Sequence, residues 1–294
     1  MKKTIAAVVV ALSVLTACGS SSKTAKSSST TAPAATPKRI VSMSPTATEM
    51  LFAIGAGKQV VAVDDQSNYP ANVPKTSLSS YTPNVEAIAG YKPDMVVIAG
   101  DTKNLKASLD KLSIPVVDEE AAKTIDDSYT QITDLGARTG HAKAAAALVA
   151  SMKSKITALT KDLPKRATAL TYYHELDNTL FSVTSKTFIG QVYALAGLQN
   201  VADPADADGS KGGYPQISAE YLVKADPDFV FLADTKCCQQ TEATFGARPA
   251  FGGLKAVKNH HVVLLDDDVA SRWGPRIVDL LAKVIDAVKA QPAA

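Results

Sequence analysis

The chain has little of what most reaction chemistry is built from: three Cys, four His and one Trp in 294 residues. Two of the His are neighbours, His260 and His261, which leaves too few for the several-imidazole cage of a bare zinc or manganese carrier. No Cys-x-x-Cys, His-Glu-x-x-His or Gly-x-Ser-x-Gly occurs, so the usual signatures of thiol redox, zinc hydrolase and serine hydrolase chemistry are missing. Gly55-Ala-Gly57-Lys58 precedes an apolar strand pattern instead of following one. It is therefore neither a dinucleotide fingerprint nor a phosphate loop. After residue 18 no apolar run reaches the about 20 residues a spanning helix needs. Charge of one sign is also scarce. With Lys2 and Lys3 set aside, basic and acidic side chains are equal in number, which gives no footing for nucleic acid.

What is present begins with a leader. Met1-Lys2-Lys3 is basic and residues 4–17 are uncharged and largely apolar, the make-up of a secretory signal. The run ends Leu15-Thr16-Ala17-Cys18, which resembles a bacterial lipobox. That resemblance implies cleavage after residue 17 and a lipid on the Cys18 thiol; the bland alternative is a secreted protein cut nearby with an incidental Cys. Residues 18–37, rich in Ser, Thr, Ala, Lys and Pro, cannot bury enough apolar surface to fold and are expected to be a disordered tether. The protein is thus expected to be extracytoplasmic and membrane-anchored. Cys237 and Cys238 are then the remaining cysteines, and adjacent. They either close a strained vicinal disulfide or stay as two thiols, with a structural role in their loop favoured. A thiol oxidoreductase using this pair is the alternative of a different functional class.

Residues 84–99 and 218–233 say nearly the same thing. In each, a Glu (Glu86, Glu220) stands at the same interval before a Pro-Asp pair, and an apolar run follows. An aromatic beside a Pro lies just upstream, Tyr81 near Pro83 and Tyr214 before Pro215. The unit reads as loop, short helix with an outward Glu, Pro-Asp turn and buried strand, with Lys92 and Asp226 as helix ends. A unit used twice suggests two lobes, and two lobes make a cleft.

Around the repeat, strands are expected over 39–43, 59–63, 114–117, 167–173, 180–183, 229–233 and 262–265. Helices are expected over 47–54 (capped by Ser44 or Thr46), 103–112, 125–137, 188–196, 219–224 and 275–290. Strands alternating with helices predict parallel sheets. Residues 141–163 lack Gly and Pro and predict a helix of about six turns. The fold class is therefore α/β: two Rossmann-like lobes with parallel sheets, 38–138 and 165–294, joined by one long backbone helix over 139–164, with the ligand cleft between them. A stiff linker predicts that closure is a small hinge adjustment.

These features resemble the substrate-binding lipoproteins of ABC importers, in the helical-backbone group that handles vitamin B12, ferric siderophores and haem. The segments that carry the resemblance are Arg39-Ile-Val-Ser-Met-Ser-Pro-Thr-Ala-Thr-Glu49, Asn68-Tyr-Pro70, Val85-Glu-Ala-Ile88 with Lys92-Pro-Asp94, Tyr214-Pro-Gln-Ile-Ser-Ala-Glu220 and Gly274-Pro-Arg276. They spread over the whole domain after the tether. The resemblance implies no enzymatic activity, no cofactor, no resident metal and a monomer. It implies two partners: a chelated-metal ligand, with corrinoid ahead of ferric siderophore or haem, and an ABC permease dimer with its cytoplasmic ATPase. It places Glu86 and Glu220 at permease-docking positions, where opposite charge would steer and orient the encounter; read alone, each could be a solvated helix-start carboxylate.

For the ligand, Asp268 and Arg272 match the B12-binding pattern, and a carboxylate and a guanidinium suit amide side chains on a corrin ring. Tyr214 stands where that pattern has Trp, and Tyr81 lies one position from a second such Trp; the chain's one Trp is Trp273. Each Tyr reads equally as a ring contact or a half-buried packing residue. His174, at a strand end, is a candidate ligand contact or a structural hydrogen-bonder.

Overall fold

Capping side chains start the helices. In the computed structural model, which describes residues 36–291, Ser44, Asn84, Thr124, Thr187 and Ser218 each accept a backbone N–H three residues on, the usual N-cap bond. The helix cap left open between Ser44 and Thr46 is Ser44. The leader, Cys18 and all of the tether before Thr36 lie outside the described residues.

The N-terminal lobe runs β1 (Ile40–Ser42), α1 (Pro45–Ala53), β2 (Val60–Val63), α2 (Val85–Gly90), β3 (Met95–Ile98), α3 (Leu105–Asp110), β4 (Val116–Asp118) and α4 (Ile125–Thr139). The linking helix α5 (Ala142–Thr160) follows. The C-terminal lobe runs β5 (Thr171–Glu175), α6 (Phe188–Leu195), β6 (Gln199–Asn200), α7 (Ala219–Ala225), β7 (Phe229–Leu232), α8 (Glu242–Gly246), α9 (Lys255–Lys258), β8 (Val262–Leu264), α10 (Asp267–Ser271) and α11 (Ile277–Lys289). Both sheets are parallel and share one topology, β2-β1-β3-β4 and β6-β5-β7-β8. The expectation of two parallel α/β lobes holds.

The Pro-Asp turn does the same work twice. Asp94 accepts from the Lys38 and Arg39 amides at 2.7 and 2.9 Å, and Asp228 accepts from the Thr171 amide at 2.8 Å. In each lobe the turn before the third strand thereby anchors the start of the first. Lys92 and Asp226 adopt left-handed φ of 51° and 43°, ending α2 and α7 where the following Pro forbids further helix.

One apolar core crosses from lobe to lobe. Ile40, Met50 and Ile132 of the first lobe, Ala145 and Met152 of α5, and Tyr172, Leu281 and Ile285 of the second belong to a single buried cluster. Helix α5 contributes a narrow stripe, Ala145, Leu148, Val149, Met152, Ile156 and Leu159, at helical spacing. It lies tight on α4: a Cβ at Gly136 would come within 2.3 Å of the Ala145 Cβ.

Several expectations change, among them the strand expected over 167–173, which is Thr171–Glu175, and the linking helix expected over 139–164, which is Ala142–Thr160. The strand expected over 180–183 is a single antiparallel bridge, Phe181 to Gln216, made by the Ser182 amide donating to the Pro215 carbonyl and the Ile217 amide to the Leu180 carbonyl. The helix expected from 103 starts at Leu105, since Lys103 and Asn104 have positive φ. The last helix starts at Ile277, two residues beyond Pro275.

Candidate functional site

A cleft of about 350 Å³ opens between the lobes at the carboxyl ends of the first sheet, where ligands of open α/β sheets bind. Its floor is Met43 and Ala99, which follow β1 and β3, with Ser44 and Thr46 at the start of α1 and Ser80 and Tyr81 from the loop before α2. Its roof comes from the other lobe: Asp268 and Ser271 on α10, then Arg272 and Trp273. Four of the expected ligand residues, Tyr81, Asp268, Arg272 and Trp273, are thus brought together. Tyr81 is 75% exposed at the mouth. Trp273 is tied to α4, its indole N–H donating to Gln131 Oε1 at 2.9 Å and its carbonyl accepting from Ser128.

Arg272 and Asp268 line the cleft, and both also spend hydrogen bonds across it. Arg272 donates to Glu49 (2.8 Å), Asn68 (2.9 Å) and the Gln66 carbonyl (3.0 Å) of the opposite lobe, and to Asp268 (2.7 Å) on its own. Asp268 accepts also from Asn68 at 3.0 Å and Lys236 at 2.7 Å. Arg276 reaches Glu49 through Nε at 2.9 Å and through Nη2, and its guanidinium covers the Tyr69 ring at 4.2 Å. Glu49 is 2% exposed and binds both guanidiniums. This is a latch between lobes, with charge matched to charge in a desolvated seam. Burial works against the Asp268 carboxylate, but the Lys236 and Asn68 hydrogen bonds and the Arg272 charge outweigh it and hold its pKa below the ordinary value. Sequence reasoning assigned no role to Glu49, Asn68, Tyr69 or Arg276, although all four lie in the segments that carried the family resemblance.

The remaining expected residues lie elsewhere. Tyr214 is 45% exposed on the C-terminal lobe, outside the lining of this cleft. His174 is fully buried, its Nδ1 2.8 Å from the Tyr193 hydroxyl and its ring edge-on to Tyr193. A ligand cannot touch it. β5 is covered on both faces, so its strand-end position gives no access, and burial drives its pKa down to about 3. Cys237 and Cys238 bring their Sγ atoms to 2.7 Å, a spacing that leaves both readings of the pair standing, two thiols and a vicinal disulfide. The loop is already fixed without it, by Asp267 accepting from the Lys236 and Cys237 amides and by the Asp234 carbonyl accepting from Cys238. Glu86 and Glu220 are exposed in the first turns of α2 and α7.

Beneath the second sheet's carboxyl edge lies a buried carboxyl pair with no local signature in the sequence. Glu175 is fully buried and takes a two-pronged contact from Arg248 at 2.8 and 2.6 Å. Asp234, also fully buried, has neither carboxylate oxygen matched by a donor. Burial, then the neighbouring Glu175 charge, push its pKa up to about 7. Between the ordinary carboxylate value and about 7 the folded state keeps a proton that the unfolded chain has lost. Stability therefore falls as pH rises across that window and levels off above it. Asp234→Asn is expected to be more stable than the parent at pH 8 by about 2–4 kcal/mol, with the gap closing towards pH 4. Urea unfolding at both pH values measures it; a gap independent of pH would rule out the raised Asp234 pKa.

Two mirrored lobes on one linking helix, with a cleft at the strand ends and an ionic latch across it, define a bilobal solute-binding protein. The chain belongs to the periplasmic binding protein family, whose model matches residues 40–269. It is similar to an ABC transporter substrate-binding lipoprotein of Bacillus subtilis, 28% identical over 86% of this chain and 80% of that one. It is also similar to a cobalamin-binding protein of Halobacterium salinarum, 30% identical over 85% of this chain and 69% of that one. Among solved structures, a possible iron-binding periplasmic solute-binding protein of Staphylococcus epidermidis superposes with a TM-score of 0.73, at 26% identity, over 86% of this chain and 98% of that one. Among the described residues no helix is long and apolar enough to cross a membrane.

Proposed function

We propose that the protein captures a corrinoid in the inter-lobe cleft and delivers it to an ABC permease, tethered outside the cytoplasm by a lipid on Cys18. The lining of the cleft carries this reading. The hydroxyls of Ser44, Thr46, Ser80 and Thr102, the Gln66 side chain and two aromatic rings surround it, with no His or Cys among them. Such a surface hydrogen-bonds an amide-rimmed flat ligand and packs on its faces. Its hard iron ligands are the Tyr81 phenol and the Asp268 carboxylate, the latter already held by Arg272, Asn68 and Lys236. The cleft is smaller than a whole corrinoid, so the ligand would sit across the mouth, with its edge between the lobes. The similarity to the cobalamin-binding relative supports the same choice. A ferric siderophore or haem is the second reading, favoured by the exposed Tyr81 hydroxyl as an iron ligand and by the similarity to the possible iron-binding protein.

Fluorescence of Trp273, the chain's one Trp, reports directly on the cleft. Titration with cobalamin, haem and a panel of ferric siderophores should give saturable quenching by cobalamin at micromolar concentration. Tyr81→Ala should weaken it about tenfold, the worth of one ring contact. Quenching by haem or a siderophore with none by cobalamin would overturn the corrinoid reading and leave the family intact. A thiol oxidoreductase has less support: burial and the neighbouring Cys238 push the Cys237 thiol up to about 12, the reverse of what a redox thiolate needs.

A further inference from the structure

Asp268 on α10 and Arg272 just after it both line the cleft, and their hydrogen bonds are filled one for one. Arg272 Nη1 donates to Glu49 at 2.8 Å and to Asn68 Oδ1 at 2.9 Å. Its Nη2 donates to the Gln66 carbonyl at 3.0 Å and to Asp268 Oδ1 at 2.7 Å. Each Nη proton thus has one acceptor. Asp268 Oδ2 takes the Lys236 ammonium at 2.7 Å and Asn68 Nδ2 at 3.0 Å. Most of these partners are hard to give up. Glu49, Lys236 and the Arg272–Asp268 contact itself are ion pairs, in which losing one member leaves a charge uncompensated, and Gln66 contributes backbone. Asn68 is the exception. It is neutral, exposed, and sits on the loop after β2 of the opposite lobe. Its one carboxamide meets both groups, with its N–H on the carboxylate and its C=O on the guanidinium.

We propose that Asn68 is a built-in competitor for the ligand: its carboxamide fills the Asp268–Arg272 pair in the ligand-free protein and is displaced, like for like, by a primary carboxamide of the ligand. The inference rests on the corrinoid reading above and adds how such a ligand enters. A ligand amide remakes both hydrogen bonds, so neither charged group is left bare. Glu49, Gln66 and Lys236 keep Arg272 and Asp268 in place during the exchange. Asn68 is exposed, so its freed carboxamide turns to water without an unmet bond. The exchange also loosens the rim, because two of the contacts that tie the lobes there end when Asn68 leaves. A ligand edged with carboxylates would fare differently. It brings acceptors alone and meets the Asp268 charge with repulsion, so the pair selects amide over acid.

Equilibrium quenching of Trp273 on the full chain tests this with two probes: cyanocobalamin, and cobyrinic acid heptamethyl ester, the same ring with esters in place of amides. Asn68→Ala should tighten cyanocobalamin about tenfold, the worth of two modest hydrogen bonds no longer competed for. The ester can accept from Arg272 but has no N–H for Asp268, so its gain should stay below about threefold. Equal gains for both probes would mean that the change merely widens the rim. No gain, or a loss, for cyanocobalamin would mean that Asn68 does not compete; either result overturns the proposal. A second measurement needs no ligand. With the asparagine side chains nitrogen-labelled for NMR, the amide signal lost in Asn68→Ala identifies Asn68. That signal should exchange with water slowly in the parent and faster in Asp268→Ala, and equal exchange in the two would overturn the competitor whatever binds. Slow exchange in the parent with no quenching by cyanocobalamin, in parent and Asn68→Ala alike, would instead sink the corrinoid reading, and the proposed displacement with it.

Discussion

Glu49→Ala is expected to cost about 3–5 kcal/mol of unfolding free energy, the penalty for removing one partner of a buried ion pair. The size follows from what is left behind. Glu49 is 2% exposed and takes three hydrogen bonds from two guanidiniums of the opposite lobe. Without it, Arg272 retains Asp268, Asn68 and the Gln66 carbonyl, while Arg276 is left with the face of Tyr69. Most of the loss should therefore come through Arg276, and Glu49→Ala combined with Arg276→Ala should be less damaging than the sum of the two single changes. Urea unfolding of the three variants gives the coupling. A loss below about 1 kcal/mol for Glu49→Ala would mean that desolvation cancels the latch's attraction, leaving it a device for lobe register alone.

The latch also marks where sequence reasoning stopped. The lobes were legible because the repeat is local: a Glu, a Pro-Asp turn and a strand lie within one short window, and the same caps and the same aspartate anchor recur in the structure at Asp94 and Asp228. Short helices such as α8 and α9 escaped because four or five residues hold too little periodicity to see. The role of Arg272 was beyond reach for a different reason. Its partner Glu49 is 223 positions away, and no local pattern distinguishes a guanidinium reserved for a ligand from one reserved for a carboxylate across a cleft. His174 stayed open between ligand contact and structural hydrogen-bonder because a strand buried on both faces has no polar alternation to show which way a side chain points. Asp234 gave no signal at all, since an Asp after an apolar strand ordinarily reads as a turn residue.

Replacing both Glu86 and Glu220 by Ala should abolish import while leaving ligand affinity within about twofold, if these carboxylates serve the permease. The structure sets up the two sites alike. Each Glu is the second residue of a short helix whose start is capped three residues on, by Asn84 in one lobe and Ser218 in the other. Both are exposed and lie away from the cleft lining. Each favours its own helix start by only about 0.3–1 kcal/mol, so the fold should survive the double change. A carboxylate on each lobe would let one permease face engage both lobes, and either single variant should keep part of the transport. Uptake in vesicles containing the cognate permease, beside Trp273 quenching for affinity, separates the two surfaces. Rising ionic strength should slow productive docking of the parent. If ligand affinity fell with the double change, Glu86 and Glu220 would belong to the cleft, and the division of each lobe into a ligand side and a permease side would fail.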